Sequence, residues 1–457
     1  MTARRRTAAL HNLGCKVNAY ETESMQQQLE EAGYTIVPFA PGADVYLVNT
    51  CTVTNIADRK SRQMLHRAKK MNPSAIVVAV GCYVQAAMEK TGLAVEADII
   101  IGNNQKSRLV EILDEFWESR KAAAEEEQRS RALVTQSSTH SQYEEMKLSR
   151  TSEHTRAYIK VQDGCSQYCT YCLIPFARGK ARSRRSADVV REVRDLARTG
   201  IQEIVLTGIH LSSYGKDLEG GEDLLRLIRE TAATEGIERV RLGSLEPGII
   251  TEEFVRGISG IKEFCPHFHL SLQSGSDTVL RRMNRRYTSS EFEERCRLLR
   301  TYFDDPALTT DVITGFPGET EEEFEQTRGF LEKIRFYETH VFKYSKREGT
   351  AAARMSGQLT EKVKSERSDV LLAMNEVNRK AYEERLAKRP AEILLEEEKT
   401  IGGEKYMIGH TREYIRAAMP VSSDETTASL RGRILKGRIS YPGPDEETLI
   451  FTADIRD

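Results

Sequence analysis

Short apolar runs separated by amphipathic stretches divide the chain into three parts. In the first, residues 7–11, 44–49 and 75–81 are compact apolar runs that predict strands, and the intervals 21–32, 56–71 and 106–120 carry helical spacing. Strands alternating with helices predict βαβ units and an open parallel sheet. Residues 121–152 turn polar, with Glu125-Glu126-Glu127-Gln128 and the Ser/Thr-rich run 136–141, and predict a connector. In the middle part six strand-like runs, 157–161, 203–207, 239–243, 267–272, 309–314 and 340–344, alternate with helical stretches at 186–198, 224–230, 289–303 and 321–334. Six β/α repeats without a closing pair predict a partial barrel, with its ligand site at the carboxyl ends of the strands. After a helix over 375–388, stopped at Pro390, the pattern becomes five short strands at 393–397, 405–409, 414–417, 432–440 and 448–453. These predict a small all-β barrel. The expected organisation is an α/β chain with domains at 1–120, 153–375 and 376–457 and a connector at 121–152.

Length agrees, since 457 residues correspond to about three domains. With 67 basic against 69 acidic residues there is no global polyanion-binding signature, so any nucleic-acid contact must come from local patches. No run approaches the ~18 apolar residues of a membrane span. The basic start, Met1 to Arg6, turns polar at once and predicts no secretory leader. Eight cysteines in such a chain predict reduced thiols and a cytoplasmic protein.

The cysteine spacing carries the chemistry. Cys165, Cys169 and Cys172 form C-x3-C-x2-C directly after the first strand of the middle part. Three soft thiolates on one loop are ligands for an iron–sulfur centre, whereas a closed zinc site asks for a fourth Cys or His, and none follows nearby. Cys15, Cys51 and Cys82 each fall just after a different predicted strand of the first part. In a parallel sheet those positions share one edge, which brings the three together as a second site. The competing reading is separate buried thiols, and that is the reading for Cys265 and Cys296, which lack such a context.

With Tyr171 before the last cysteine, the C-x3-C-x2-C loop resembles the signature of radical S-adenosylmethionine enzymes. Leu13-Gly14-Cys15-Lys16-Val17-Asn18, Asn49-Thr50-Cys51-Thr52-Val53-Thr54 and Gly81-Cys82-Tyr83 resemble the N-terminal domain of the methylthiotransferases within that group. The resemblance covers essentially the whole chain. It implies two [4Fe-4S] clusters, held by Cys165, Cys169 and Cys172 and by Cys15, Cys51 and Cys82. It implies one S-adenosylmethionine that methylates a sulfur at the second cluster and another that yields a 5′-deoxyadenosyl radical to activate a substrate carbon. Catalytic side chains are not assigned, because the cofactors carry the reaction. An electron donor such as a flavodoxin or ferredoxin and a sulfur donor are implied as partners.

Polar residues at the predicted strand ends, Thr207, Gly208, Ser244, Glu246, Gln273 and Asp311, are candidates to bind S-adenosylmethionine, and each could equally be a hydrogen-bonded strand-end residue. Residues 308–319, Leu-Thr-Thr-Asp-Val-Ile-Thr-Gly-Phe-Pro-Gly-Glu, resemble the family's late-strand motif. His210, His267 and His269 read as packed histidines. The run Arg178, Lys180, Arg182, Arg184 and Arg185 has no acid within it and predicts an RNA contact beside the site; Arg281, Arg282, Arg285 and Arg286 form a second basic run. The last part resembles the RNA-binding TRAM domain. Three substrate branches are known in the family, two on adenosine 37 beside the tRNA anticodon and one on a ribosomal-protein aspartate. Lys16-Val17 after the first cysteine resembles the N6-threonylcarbamoyladenosine branch more than the N6-isopentenyladenosine or ribosomal branches. An RNA-binding iron–sulfur protein without transferase activity is the alternative of a different class.

Overall fold

The computed structural model describes residues 5–91, 95–122, 131–134, 137, 142–151, 155–387, 389–421, 426–445 and 448–454. Its first sheet is parallel, with strands β1 (Thr7–Asn12), β2 (Thr35–Ile36), β3 (Val45–Thr50), β4 (Ile76–Gly81), β5 (Ile99–Ile101) and β6 (Arg131–Leu133) in the order β2-β1-β3-β4-β5-β6. β3 and β4 are buried at every residue, as expected for parallel strands covered on both faces. Alternate residues divide between two cores. Val45 and Leu47 meet Tyr20, Met25 and Leu29 of the helix Lys16–Glu31, while Tyr46 and Val48 meet Leu65 and Ala68 of the helix Asn55–Met71. That second helix starts where Thr54 accepts the Ala57 N–H at 3.1 Å, a side-chain cap.

The stretch 121–152 is not simply a connector. β6 pairs with β5, Ile101 against Leu133, and extends the sheet by one strand. Met146 and Leu148 are buried in the main core, and the Met146 carbonyl accepts the Tyr20 hydroxyl at 2.5 Å. Two apolar residues in a polar run were enough to dock it. The acidic run 125–128 and most of 136–141 lie outside the described residues.

The middle part contains all six expected strands: β7 (Arg156–Asp163), β9 (Glu203–Gly208), β10 (Arg239–Leu242), β11 (His267–Gln273), β12 (Ala307–Thr314) and β13 (Glu338–Lys343). A two-residue β8 (Arg182–Ser183) runs antiparallel beside β7. The orders are β10-β9-β7-β8 and β11-β12-β13, and the bridges Val240↔Phe264 and Leu245↔Leu270 join the two into an open barrel. The helices Ser186–Arg198 and Glu321–Ile334 keep their predicted limits, the latter opened by a Thr320/Glu323 capping box. Ile159 and Val161 of β7 share one core with the first sheet's Val45 and Val78. The first two parts are therefore fused.

The helix before the last part runs over Glu361–Leu386, starting 14 residues ahead of the predicted 375. Strands β14 (Pro390–Ile401), β15 (Glu404–Thr411), β16 (Arg416–Pro420), β17 (Ile434–Asp445) and β18 (Thr448–Ala453) then close a barrel in the order β14-β15-β16-β18-β17. It packs its own core of Ile393, Leu395, Met407 and Phe451. Two barrel-facing arginines dock it. Arg239 donates to the Glu392 carbonyl at 2.8 Å, and Arg241 donates to the Thr411 and Arg412 carbonyls at 3.1 and 2.8 Å. No described helix is long and apolar enough to cross a membrane.

Candidate active site

The carboxyl edge of the first sheet faces the carboxyl mouth of the open barrel, and a cavity of about 660 Å³ lies between them. All six candidate cysteines line it, together with Tyr414 from the small barrel. Parallel register explains the first set. Asn12 pairs with Asn49 and Thr50 with Gly81, so the chain leaves β1, β3 and β4 at one level and delivers Cys15, Cys51 and Cys82 to one spot. Space there is tight. A Cβ on Gly14, whose φ is +112°, would stand 2.9 Å from Cys51 Sγ, so only glycine serves. Asn18 donates to the Leu13 and Thr50 carbonyls at 2.8 and 3.1 Å, and Asn49 donates to the Asn18 carbonyl and the Thr22 hydroxyl. Both asparagines staple the loops together.

The second set sits on the loop after β7. Cys165 N–H donates to the Gly179 carbonyl, Cys172 N–H to the Cys169 carbonyl, and Thr170 N–H to the Met283 carbonyl. Tyr168 takes φ +52°, with its carbonyl accepting from Asn284 at 3.0 Å. These bonds fix a loop whose three thiols face the cavity.

Each set has one guanidinium on a sulfur. Arg178 Nε donates to Cys82 Sγ at 3.1 Å, and Arg285 Nη1 donates to Cys169 Sγ at 3.3 Å. Arg285 also grips both Glu246 oxygens, at 2.7 and 2.6 Å. Arg178 is 0% exposed and donates to Glu21, Asp163 and Asn18 as well. With it, Lys106, Lys160 and Arg182 make four cations against three buried carboxylates, Glu21 and Asp163, which they pair, and Glu144, which feels Lys160 and Lys106. Against the penalty of burial, Arg178, Lys106 and Lys160 hold Glu21 well below the usual carboxylate range. The excess of buried positive charge calls for an anion beside Cys82.

Cys51, Cys165 and Cys172 resist ionisation. Burial and then the neighbouring thiols push Cys51 up to about 12; burial, above all, pushes Cys165 up to about 11 and Cys172 up to about 12. Thiolates at these positions therefore need a bound cationic centre. Three cysteines per set on the cavity, no further described thiol there and one guanidinium per set suit an iron–sulfur cluster with an open iron, whose net charge is negative.

Of the other predicted residues, Thr207, Gly208, Ser244, Glu246 and Asp311 line the cavity. Gln273 does not. It ends β11 at a register shift with φ +70° and is nearly buried off the lining. A Cβ on Gly208 would meet the Gln162 side chain at 2.9 Å. The expected RNA-facing basic run is corrected most. Arg178, Arg182 and Arg184 are 0%, 2% and 1% exposed, with Arg184 paired to Glu145 and Glu192, so none of the three faces solvent. Only Lys180 and Arg185 are exposed.

Sequence reasoning did not place Arg285, Lys16, Tyr414 or His340 on the cavity, and it read His210, His267 and His269 as packed, whereas all of them line it. β11–β12–β13 register sets His269 beside Thr309 and His340 beside Asp311, and His269 Nε2 lies 3.2 Å from Asp311 Oδ2. The alternation His267, His269 and Thr309, Asp311 was the available signal, since residues two apart on a strand share a face. Burial, and then Arg241 and Arg156, lower the Lys16 ammonium to about 8.

Residues 159–331 match the radical SAM superfamily, and residues 7–102 match a family described as Uncharacterized protein family UPF0004. The chain is 39% identical to the threonylcarbamoyladenosine tRNA methylthiotransferase MtaB of Bacillus subtilis, over 95% of each chain. It is 33% identical to the tRNA-2-methylthio-N(6)-dimethylallyladenosine synthase of Acetivibrio thermocellus, over 96% of this chain and 89% of that one. Among solved structures, the radical S-adenosylmethionine methyltransferase TsrM of Kitasatospora setae superposes with a TM-score of 0.55 at 16% identity, over 74% of this chain and 73% of that chain. That likeness speaks for the fold alone.

Proposed function

The chain belongs to the radical S-adenosylmethionine tRNA methylthiotransferase family, and from that premise we propose that it converts N6-threonylcarbamoyladenosine at position 37 of tRNA to its 2-methylthio derivative. The observation that carries the methylthio transfer is the meeting of six cysteines, in two sets of three, on one cavity; the 33–39% identity to threonylcarbamoyladenosine tRNA methylthiotransferases supports the branch. A single transfer that needs both a radical source and a sulfur source requires both within reach of one bound substrate.

S-adenosylmethionine and two [4Fe-4S] clusters are the cofactors, and when bound they supply the 5′-deoxyadenosyl radical, the sulfur and the methyl group. Cys165, Cys169 and Cys172 would hold one cluster, with Arg285 offsetting its charge and Glu246 fixing Arg285. Cys15, Cys51 and Cys82 would hold the other, with Arg178 in the same role. Thr207, Ser244 and Asp311 are offered to the polar groups of S-adenosylmethionine from the barrel mouth. No side chain needs to abstract a proton, because an aromatic C–H is not acidic.

The anticodon loop would reach the cavity mouth, with Lys180, Arg185 and the TRAM-like barrel as its phosphate contacts. A flavodoxin- or ferredoxin-type reductant, a sulfur donor and a cytoplasmic setting complete the reading. Nucleoside mass spectrometry of tRNA from cells lacking the gene tests it. The expected result is loss of 2-methylthio-N6-threonylcarbamoyladenosine, restored by the intact gene. Loss of the isopentenyl counterpart instead would move the chain to the other tRNA branch, and no change in any methylthio nucleoside would remove tRNA as substrate.

A further inference from the structure

Lys16 follows Cys15 in sequence and opens the helix Lys16–Glu31, and its side chain lines the cavity. Its Nζ lies 5.7 Å from the centre of the Tyr414 ring, whose surroundings also include the Arg156 and Arg241 guanidiniums at 5.0 and 4.7 Å. The two arginines are neutralised. Arg241 pairs with Glu203 at 3.0 Å, and Arg156 pairs with Glu203 at 3.6 Å and with Glu396. Lys16 pairs with no carboxylate among the described residues. It is the unmatched cation of this wall.

A second unmatched group stands beside it. His267 on β11 is 6% exposed, its ring centre 5.2 Å from that of Tyr414. Its Nε2 reaches the Thr309 hydroxyl at 3.5 Å, while its Nδ1 is buried with no partner. A buried polar atom without a partner costs free energy unless a ligand completes it. The negative groups of the cavity stand elsewhere. Asp311 and Glu338 belong to the His269 and His340 side, and Glu246 is held by Arg285. An incoming anion therefore meets attraction at Lys16 and His267, neither of which is ion-paired with a carboxylate among the described residues.

We infer that Lys16, His267 and Tyr414 form a carboxylate subsite, which takes the free carboxylate of the amino-acid substituent on N6 of the target adenosine. Lys16 supplies the charge, His267 Nδ1–H a hydrogen bond, and the Tyr414 ring an apolar floor for the substituent's carbon atoms. The inference rests on the threonylcarbamoyl reading above and names the residues that would read it. A dimethylallyl substituent has no charge with which to satisfy either group, so the same wall would reject it by leaving both unpaired.

The test is equilibrium binding, at one fixed salt concentration, of anticodon stem-loop RNAs to the iron-loaded full-length protein. The RNAs carry N6-threonylcarbamoyladenosine, N6-isopentenyladenosine or plain adenosine at position 37. The wild-type protein is expected to bind the first at least about tenfold more tightly than the third, the effect of one charge-assisted contact. Lys16→Gln should bring that ratio close to one, and Lys16→Arg should keep most of it. If Lys16→Gln has lost its iron, His267→Phe reports on the same subsite from a position remote from the cysteine loops in sequence. A threonylcarbamoyl preference that persists in both Lys16→Gln and His267→Phe overturns the subsite but leaves the substrate reading standing. A wild-type preference for the isopentenyl RNA overturns the substrate reading itself.

Discussion

Cys169→Ala should end cleavage of S-adenosylmethionine, whereas Cys51→Ala should leave that cleavage in place and end only formation of the methylthio product. Both cysteines line one cavity, but they are delivered by different parts of the fold, Cys169 by the loop after β7 and Cys51 by the end of β3. The loop of Cys169 is closed by its own backbone bonds and by contacts with residues 283 and 284, none of which involves the first sheet. Removing Cys51 therefore leaves that loop intact. Each variant should halve the bound iron, from about eight to about four atoms per chain, as expected for two four-iron clusters. The rate of 5′-deoxyadenosine release should fall at least about 10³-fold in Cys169→Ala, an effect of about 4 kcal/mol on the barrier. In Cys51→Ala release should stay within a few-fold of the wild type while no 2-methylthio nucleoside appears. Full iron content in Cys51→Ala would show that the first set binds no cluster. Equal loss of 5′-deoxyadenosine release in both variants would show that the two sets do not work separately.

This separation into two sets was legible because it depends on short-range pattern. Buried parallel strands such as VYLVNT and IVVAVG announce themselves as continuous apolar runs, and the residue after each strand must fall on the shared edge. The short strands were not legible. β2 has two residues, and β5 and β6 three each, too few to establish a period, and the polar context of Met146 and Leu148 hid their burial. Charge was the least legible quantity. Arg178 reads locally as one of five cations without an acid, yet its partner Glu21 lies 157 residues earlier. Arg285 reads as part of an exposed basic run, yet it reaches back 116 residues to Cys169. A local window shows the charge of a side chain but not its partner, and the partner decides whether the side chain faces solvent or the core.

Arg178→Met should lower stability by about 3–5 kcal/mol, the usual loss when one member of a buried ion pair is removed. Arg178 is fully buried, and three of its nitrogens donate to Glu21, Asp163, Asn18 and Cys82. Glu21 and Asn18 belong to the first helix and Asp163 to β7, so the same guanidinium ties the first sheet to the open barrel. Methionine fills much of the volume but leaves those acceptors short of donors. Lys106, Lys160 and Arg182 remain as partial partners, which favours the lower end of the range. The first unfolding transition in urea, followed anaerobically on the iron-loaded protein, reads the loss. The role of Arg178 at Cys82 is separable from its role as an ion-pair hub by a double-mutant cycle with Cys82→Ala. If the guanidinium offsets the charge of a thiolate-bound centre, Arg178→Met should cost about 1–3 kcal/mol less once Cys82 is gone, because the anion it served has been removed. Additive losses would make Arg178 a hub for Glu21 and Asp163 alone, and the excess of cations beside Cys82 would then need another counter-charge.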